Sequence, residues 1–172
     1  RNVSSKEIFE WRKKHQRNDN FIFLYFWHAG KSKGIDYLIQ ALPEILKLEN
    51  VMMVFNIIDS RRTKKVLEEL KKLDANNLQI FNGFSKKDLR KLVVSADCVI
   101  APSISEWFGS VHSEAVAMGK VLITTKTSAI PEVVYGKVKF IKPADKEWII
   151  LACKDVIEWK FENIPEKKFS RD

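Results

Sequence analysis

The sequence has only two cysteines in 172 residues, and neither stands at a metal-ligand or redox spacing. Cys98 lies in ADCVIAP and Cys153 in WIILACKDVIEW. Both read as small buried hydrophobes, and a reducing cytoplasm is the expected setting. No apolar run approaches the roughly 20 residues that span a bilayer, and no signal peptide is visible. The GxxxxGK[ST] phosphate loop is absent, as is any DxD-type metal motif, so no metal site is read from the sequence. There is no internal repeat, low-complexity segment or internal linker. The expectation is therefore one domain over 1–172, with 1–20 as a lead-in helix and linker. The chain opens on Arg1 and not on methionine, which points to a piece of something longer.

The composition is 45% hydrophobic and 30% charged, as a folded globular domain requires. The net charge is +8 and the pI about 9.4, a balance that favours anionic partners: nucleotides, phosphates, nucleic acid or an acidic membrane surface. A Lys-rich solvated surface accounts for most of these lysines equally well. Nucleic acid has no support beyond charge, because neither interleaved aromatics nor a known motif is present; it is not an expected partner. Peripheral contact with a membrane is kept as an alternative to a purely cytoplasmic location.

Hydrophobic patterning alternates between strands and helices. A short helix over about 6–15 carries Phe9 and Trp11 as anchors. FIFLYFW, VMMVFNII, NLQIFNG, DCVIAPS, VLITT and KVKFIKP read as six strands, the first two apolar enough to be buried on both faces. Between them, Ile35, Leu38, Ile39, Leu42, Ile45 and Leu46 mark an amphipathic helix that Pro43 should kink or shorten. Val66, Leu67, Leu70 and Leu73 mark a basic one. Ser85 caps a helix to Ser95, and further helices run from Ser110, over 130–134 and over 146–160. The expected fold class is α/β: a single Rossmann-like domain, with a parallel sheet of about six strands and helices on both faces.

Ligands of such sheets bind beyond the carboxyl ends of the strands, and three segments reach that edge. HAGKSKG (28–34) combines two glycines, two lysines and a helix start, a phosphate-friendly set or an ordinary basic loop. SISEWFGSVHSEAVAMG (103–119) puts Glu106 on a loop and Glu114 inside a helix whose first amides, near Gly109 and Ser110, are free for an anion. A carboxylate such as Glu114 can accept from the vicinal hydroxyls of a ribose; Glu106 can face a sugar. The alternatives are a solvated loop charge and a salt-bridged surface residue. His112, between the two, is expected to be exposed. TTKTSAIPEVV offers Thr124, Thr125, Ser128 and Glu132, either near the ligand or as a capped turn.

In order and spacing, these segments resemble the donor-binding half of the family 4 retaining glycosyltransferases, two-domain enzymes of the GT-B fold. The matches are Lys33-Gly34, Pro102-Ser103, Glu106, Phe108-Gly109, Glu114-Ala115, Ala117, Gly119 and Ile130-Pro131-Glu132, spread over about 21–142. The resemblance implies that Lys33 holds the donor diphosphate and Glu106 the hydroxyls of the transferred sugar, the two positions assigned to catalysis. It implies that Glu114 binds the nucleotide ribose and that the backbone of Phe108, Gly109, Ser110 and Val111 meets sugar and phosphates. His28 stands where the family has the arginine of a Gly-Arg pair, with Lys31 near it as a further cation. No cofactor beyond a nucleotide-diphosphate sugar is implied. The partner is an acceptor-binding half, in a longer chain or a second subunit, and the acceptor is unknown. A hexosyl-type transferase follows, weak or inactive as this domain alone.

Three departures stand out: Trp27-His28, Trp107 after Glu106, and Ser128-Ala129 before Ile130. A neutral histidine does not replace arginine as a permanent phosphate clamp. Each change is either tuning or a sign of lost catalysis, so a non-catalytic nucleotide-sugar-binding or partner module stays as the alternative.

Overall fold

β1 (Phe21–His28) alternates its side chains between two apolar layers, and the whole domain is arranged around it. The structure, a computed structural model, describes residues 4–14 and 19–167. The other elements are α1 (Ser5–Lys14), α2 (Ile35–Ile45), β2 (Val51–Ile58), α3 (Thr63–Lys71), β3 (Leu78–Asn82), α4 (Lys86–Ser95), β4 (Cys98–Ala101), α5 (Ser110–Ala117), β5 (Val121–Thr125), α6 (Ile130–Val133), β6 (Gly136–Ile141), α7 (Lys146–Ile157) and β7 (Glu162–Ile164).

Sheet order is β3-β2-β1-β4-β5-β6-β7. The six expected strands pair in parallel, and β7 adds an antiparallel edge against β6. Phe23 and Tyr25 pack with Leu38 and Leu42 of α2, Val66 and Leu70 of α3, and Ile149 and Cys153 of α7. Ile22, Leu24 and Phe26 pack on the other face with Leu92 and Val93 of α4, Val111 and Ala115 of α5, and Ile130 of α6. Covering both faces is what allows a near-continuous apolar strand. Each fully buried side chain of this size contributes about 1.5–3 kcal/mol. Both cysteines are buried and free.

Some boundaries differ from the sequence expectation. α2 continues past Pro43 to Ile45, because a proline so near the helix end removes a single bond and leaves the Leu46 N–H to Leu42 carbonyl bond intact at 2.8 Å. α7 stops at Ile157, and Trp159 turns left-handed with φ of 63°. The expected end of the first helix at His15 lies outside the described residues. Of its two expected anchors, Trp11 packs against the α4–α6 layer while Phe9 is exposed. The Arg12 guanidinium donates to the Ser95 carbonyl at 2.6 Å and pairs with Asp97 at 3.0 Å. Asp97 also accepts from the Ile22 amide at 2.8 Å. This clamp holds the amino ends of β1 and β4, opposite the edge where the loops described next converge.

Candidate functional site

Strand order reverses between β1 and β4, the position where open α/β sheets admit ligands. Their ladder covers only Phe23↔Cys98 and Leu24↔Val99, and a crevice lies beyond it. The Ile104 and Ser105 amides both donate to the Ser32 carbonyl, at 2.8 and 3.2 Å, tying the loop after β4 to the loop after β1. Gly34 permits this approach: its φ is +71°, and a Cβ there would sit 1.9 Å from the Pro102 carbonyl oxygen. From the other side, Thr124 donates to the Ala101 carbonyl at 2.9 Å and Thr125 to the Ser103 carbonyl at 2.6 Å. These two hydroxyls are buried and brace the loop after β4. Ser128 reaches the Glu106 amide at 3.5 Å.

The braced loops bring Lys33 and Glu106 together, 2.7 Å apart, with side chains only 19% and 12% exposed. The Lys33 ammonium also lies 5.7 Å from the centre of the Trp27 ring, within cation–π range. Burial is the largest single influence on Glu106 and pushes its pKa up. The Lys33 hydrogen bond and charge, helped by the Gly109 amide, outweigh it and hold the carboxyl below the usual range. The pair stands at a crevice that Tyr25, Trp27, Ala101, Ser103 and His112 also line.

α5 begins beside this pair. Gly109 is its left-handed N-cap, φ 57°, and the amides of Ser110, Val111 and His112 form its first turn, free of intrahelical partners. Phe108 and the neighbouring Trp107 are 83% and 86% exposed, so Phe108 offers backbone to this edge while its ring faces solvent. The Val111 side chain belongs to the core. His112 is 1% exposed, which overturns the expectation of an exposed ring. Its i+3 and i+4 neighbours, Ala115 and Val116, are buried too, a helical spacing that places His112 on the face of α5 turned to the sheet.

Glu114 lies elsewhere. It is exposed on α5 and lines a neighbouring cleft of about 690 Å³ with Asp59, Asn82, Phe84 and Arg90, at the carboxyl ends of β2 and β3. The two carboxylates that open and close the sequence motif thus face adjacent spaces, separated by the amino end of α5. His28 connects the two regions: its Nδ1 lies 3.3 Å from the Asp59 carbonyl and its ring meets Trp27 edge-on at 5.2 Å. Lys31 is exposed on the turn Lys31–Lys33.

A supporting layer escaped the sequence reading. The Tyr25 hydroxyl donates to the His28 carbonyl at 2.6 Å. Arg62 bonds Asp36 at 2.6 Å and the Ala29 carbonyl at 3.1 Å. Together they fix the backbone that leads to Lys33. Arg62 sits in a basic run and Tyr25 in an apolar one, so neither carried a local signal. Among the described residues, no three His, Cys, Asp or Glu side chains are grouped as a metal site needs, and no helix is long and apolar enough to cross a membrane.

The model for glycosyl transferases group 1 matches residues 7–164. An uncharacterized glycosyltransferase of Methanocaldococcus jannaschii is 31% identical over 166 residues, covering 95% of this chain and 40% of that protein. An MMP alpha-(1->4)-mannosyltransferase of Mycolicibacterium hassiacum is 28% identical over 118 residues, 66% of this chain and 28% of that protein. The chain therefore spans well under half the length of these relatives. Among solved structures, Anabaena HepE in complex with UDP-glucose superposes with a TM-score of 0.78 at 22% identity, covering 91% of this chain and 44% of that one. The C-terminal domain of a glycosyl transferase group 1 family protein from Francisella tularensis gives 0.73 at 22% identity, covering 90% and 84%. These two likenesses concern the fold.

Proposed function

The chain belongs to the glycosyl transferases group 1 family, and on that premise we propose that it is the carboxyl-terminal, donor-binding half of a family 4 retaining glycosyltransferase with the GT-B fold. One observation carries the reading: Lys33, Glu106 and the amino end of α5 meet where strand order reverses, and Glu114 on the same helix faces the adjacent cleft. A nucleotide-diphosphate sugar spans that distance in kind, with a hydroxyl-rich group at each end and a diphosphate between.

In this reading the diphosphate lies at the first amides of α5, where Ser110, Val111 and His112 donate and the helix dipole favours negative charge. Lys33 supplies the cation, with Lys31 and His28 at the rim. Glu114 takes the ribose hydroxyls, and the cleft around Asp59, Asn82 and Phe84 takes the base. Glu106 and the backbone at Phe108 and Gly109 hold the hexose. Reaction breaks the bond between C1 and the diphosphate through an oxocarbenium-like state; the acceptor hydroxyl's oxygen takes the diphosphate's place with retention, and its proton passes to the leaving diphosphate. Negative charge grows on the leaving phosphate, where fixed amides and Lys33 stabilise it more than they do the ground state. The acceptor site belongs to another half of the enzyme, so this chain alone binds donor and turns over weakly. The cytoplasm suits both free thiols, and the basic surface suits peripheral contact with an acidic membrane.

Calorimetry with UDP-, GDP- and ADP-sugars tests the proposal on this chain. One of the three should bind, and Lys33→Met should abolish it; no binding to any, with the protein folded by circular dichroism, removes the reading. A second reading, a binding module without catalysis, is favoured by His28 at the arginine position. Reconstitution with the acceptor half separates them. An enzyme shows transfer that Glu106→Gln removes without loss of fold, whereas a module binds donor and transfers nothing.

A further inference from the structure

Neither ring nitrogen of His112 makes a well-formed hydrogen bond among the described residues, the Ala101 carbonyl being at most a weak acceptor for it, although the side chain is buried. An unsatisfied imidazole is costly in such a place, and an apolar residue would fill the same space without that penalty. The ring lines the crevice that also holds Lys33 and Glu106, a space of about 10 Å³, room for no more than a single water. Its Nδ1 lies 3.3 Å from where a Cβ on Gly109 would be. The titratable groups lining the crevice with it are Lys33, Glu106 and Tyr25, and the Tyr25 hydroxyl is already committed to the His28 carbonyl.

Burial is the main influence on His112 and pushes its pKa down to about 4. Glu106 favours the charged ring, the Ala101 carbonyl does so more weakly, and Lys33 opposes it. Glu106 acts on the ring more strongly than Lys33 does, but burial outweighs both and the ring stays neutral. Lys33 cannot serve a diphosphate fully while its ammonium is held 2.7 Å from Glu106. Removing it would leave a mostly buried carboxylate without its cation, a costly state unless another partner is at hand.

We propose that His112 is a positioning residue for Glu106: it shares the crevice of the Lys33–Glu106 ion pair and becomes the carboxylate's partner whenever Lys33 is drawn away, as by a donor diphosphate. The last clause rests on the donor-site reading; the exchange itself does not, and it is tested without any nucleotide. Imidazole proton NMR titrations follow His112, assigned with His112→Gln. In wild-type protein burial should hold it down at about 4. In Lys33→Met, which withdraws the cation permanently, it should move up by about one to three units. The shift should vanish in Lys33→Met/Glu106→Gln and be absent in Lys33→Arg, which keeps the charge. An unmoved titration in Lys33→Met, or a shift that survives Glu106→Gln, overturns the proposal.

Calorimetry of UDP, GDP and ADP at pH 6 in two buffers of different ionisation enthalpy then reads the ligand-driven step. Net proton uptake on binding should be greater in wild type than in His112→Gln, over the background that the diphosphate's own titration near pH 6 gives to both. Binding with uptake unchanged in His112→Gln overturns the proposal. If no nucleotide binds while the Lys33→Met shift is present, the donor reading fails and the exchange between Lys33 and His112 stands.

Discussion

Replacing Gly34 with alanine tests whether the two loops at the site depend on one close approach. The new Cβ would meet the Pro102 carbonyl oxygen at 1.9 Å, so the loops after β1 and β4 must separate. Backbone at φ +71° costs an alanine about 1–2 kcal/mol by itself. Separation also endangers the Ile104 and Ser105 amide bonds to the Ser32 carbonyl, each worth about 0.5–1.5 kcal/mol. The expected loss is about 2–5 kcal/mol, which for a domain of this size lowers Tm by roughly 5–15 °C. Gly83→Ala is the matched control, since Gly83 has φ +73° and nothing within 4 Å of its would-be Cβ. It carries the backbone term alone. Urea denaturation of the two variants isolates the approach. Equal losses in both would refute it, because the Gly34 penalty would then be conformational only.

Other outcomes follow from the same geometry. Glu114→Ala should weaken nucleoside diphosphate binding by about 1–3 kcal/mol while leaving the urea midpoint unchanged, because the residue is exposed; calorimetry reads the first and denaturation the second. His112 is held at about 4 in the folded state against 6.5 ordinarily, so the unfolded chain takes up its proton first as pH falls. Its burial therefore adds no pH-dependent penalty above about pH 6.5 and costs progressively more down to about pH 4, up to about 3 kcal/mol. His112→Leu should flatten that part of a stability-versus-pH curve. Glu106 is lowered, so its contribution is present above its unfolded value and is lost only at more acid pH. The Cys98 and Cys153 thiols, both raised by burial, should react with a disulfide reagent only at the rate of unfolding; fast reaction in native buffer would contradict their placement.

The sheet was legible because its strands are long apolar runs separated by periodic helices. β7 was not, since Glu162–Ile164 has one apolar residue and gains its order from pairing with β6. Lys33 and Glu106 stood out as charges on glycine-containing loops after strands, and Glu114 as a carboxylate inside the helix that follows. What the motif could not reveal was their division between two spaces, because an eight-residue spacing on one loop and helix looks like a single cluster. The ion pair of Lys33 with Glu106 joins residues 73 apart, a contact made only by the parallel crossover. His112 looked exposed because serines flank it in α5. Thr124 and Thr125 looked available because a buried hydroxyl bonded to backbone has the same sequence as one aimed at a ligand.

The central claim, that the amino end of α5 joins a ribose subsite at Glu114 to a sugar subsite at Glu106, is tested most directly by amide chemical-shift mapping with paired ligands. A nucleoside diphosphate should perturb the amides of Ser110–His112 and the residues around Glu114, Asp59 and Asn82. Its sugar conjugate should add changes at Glu106, Trp107 and Gly109. Perturbations confined to other faces, or a sugar whose addition leaves Glu106 and Gly109 unmoved, would contradict it.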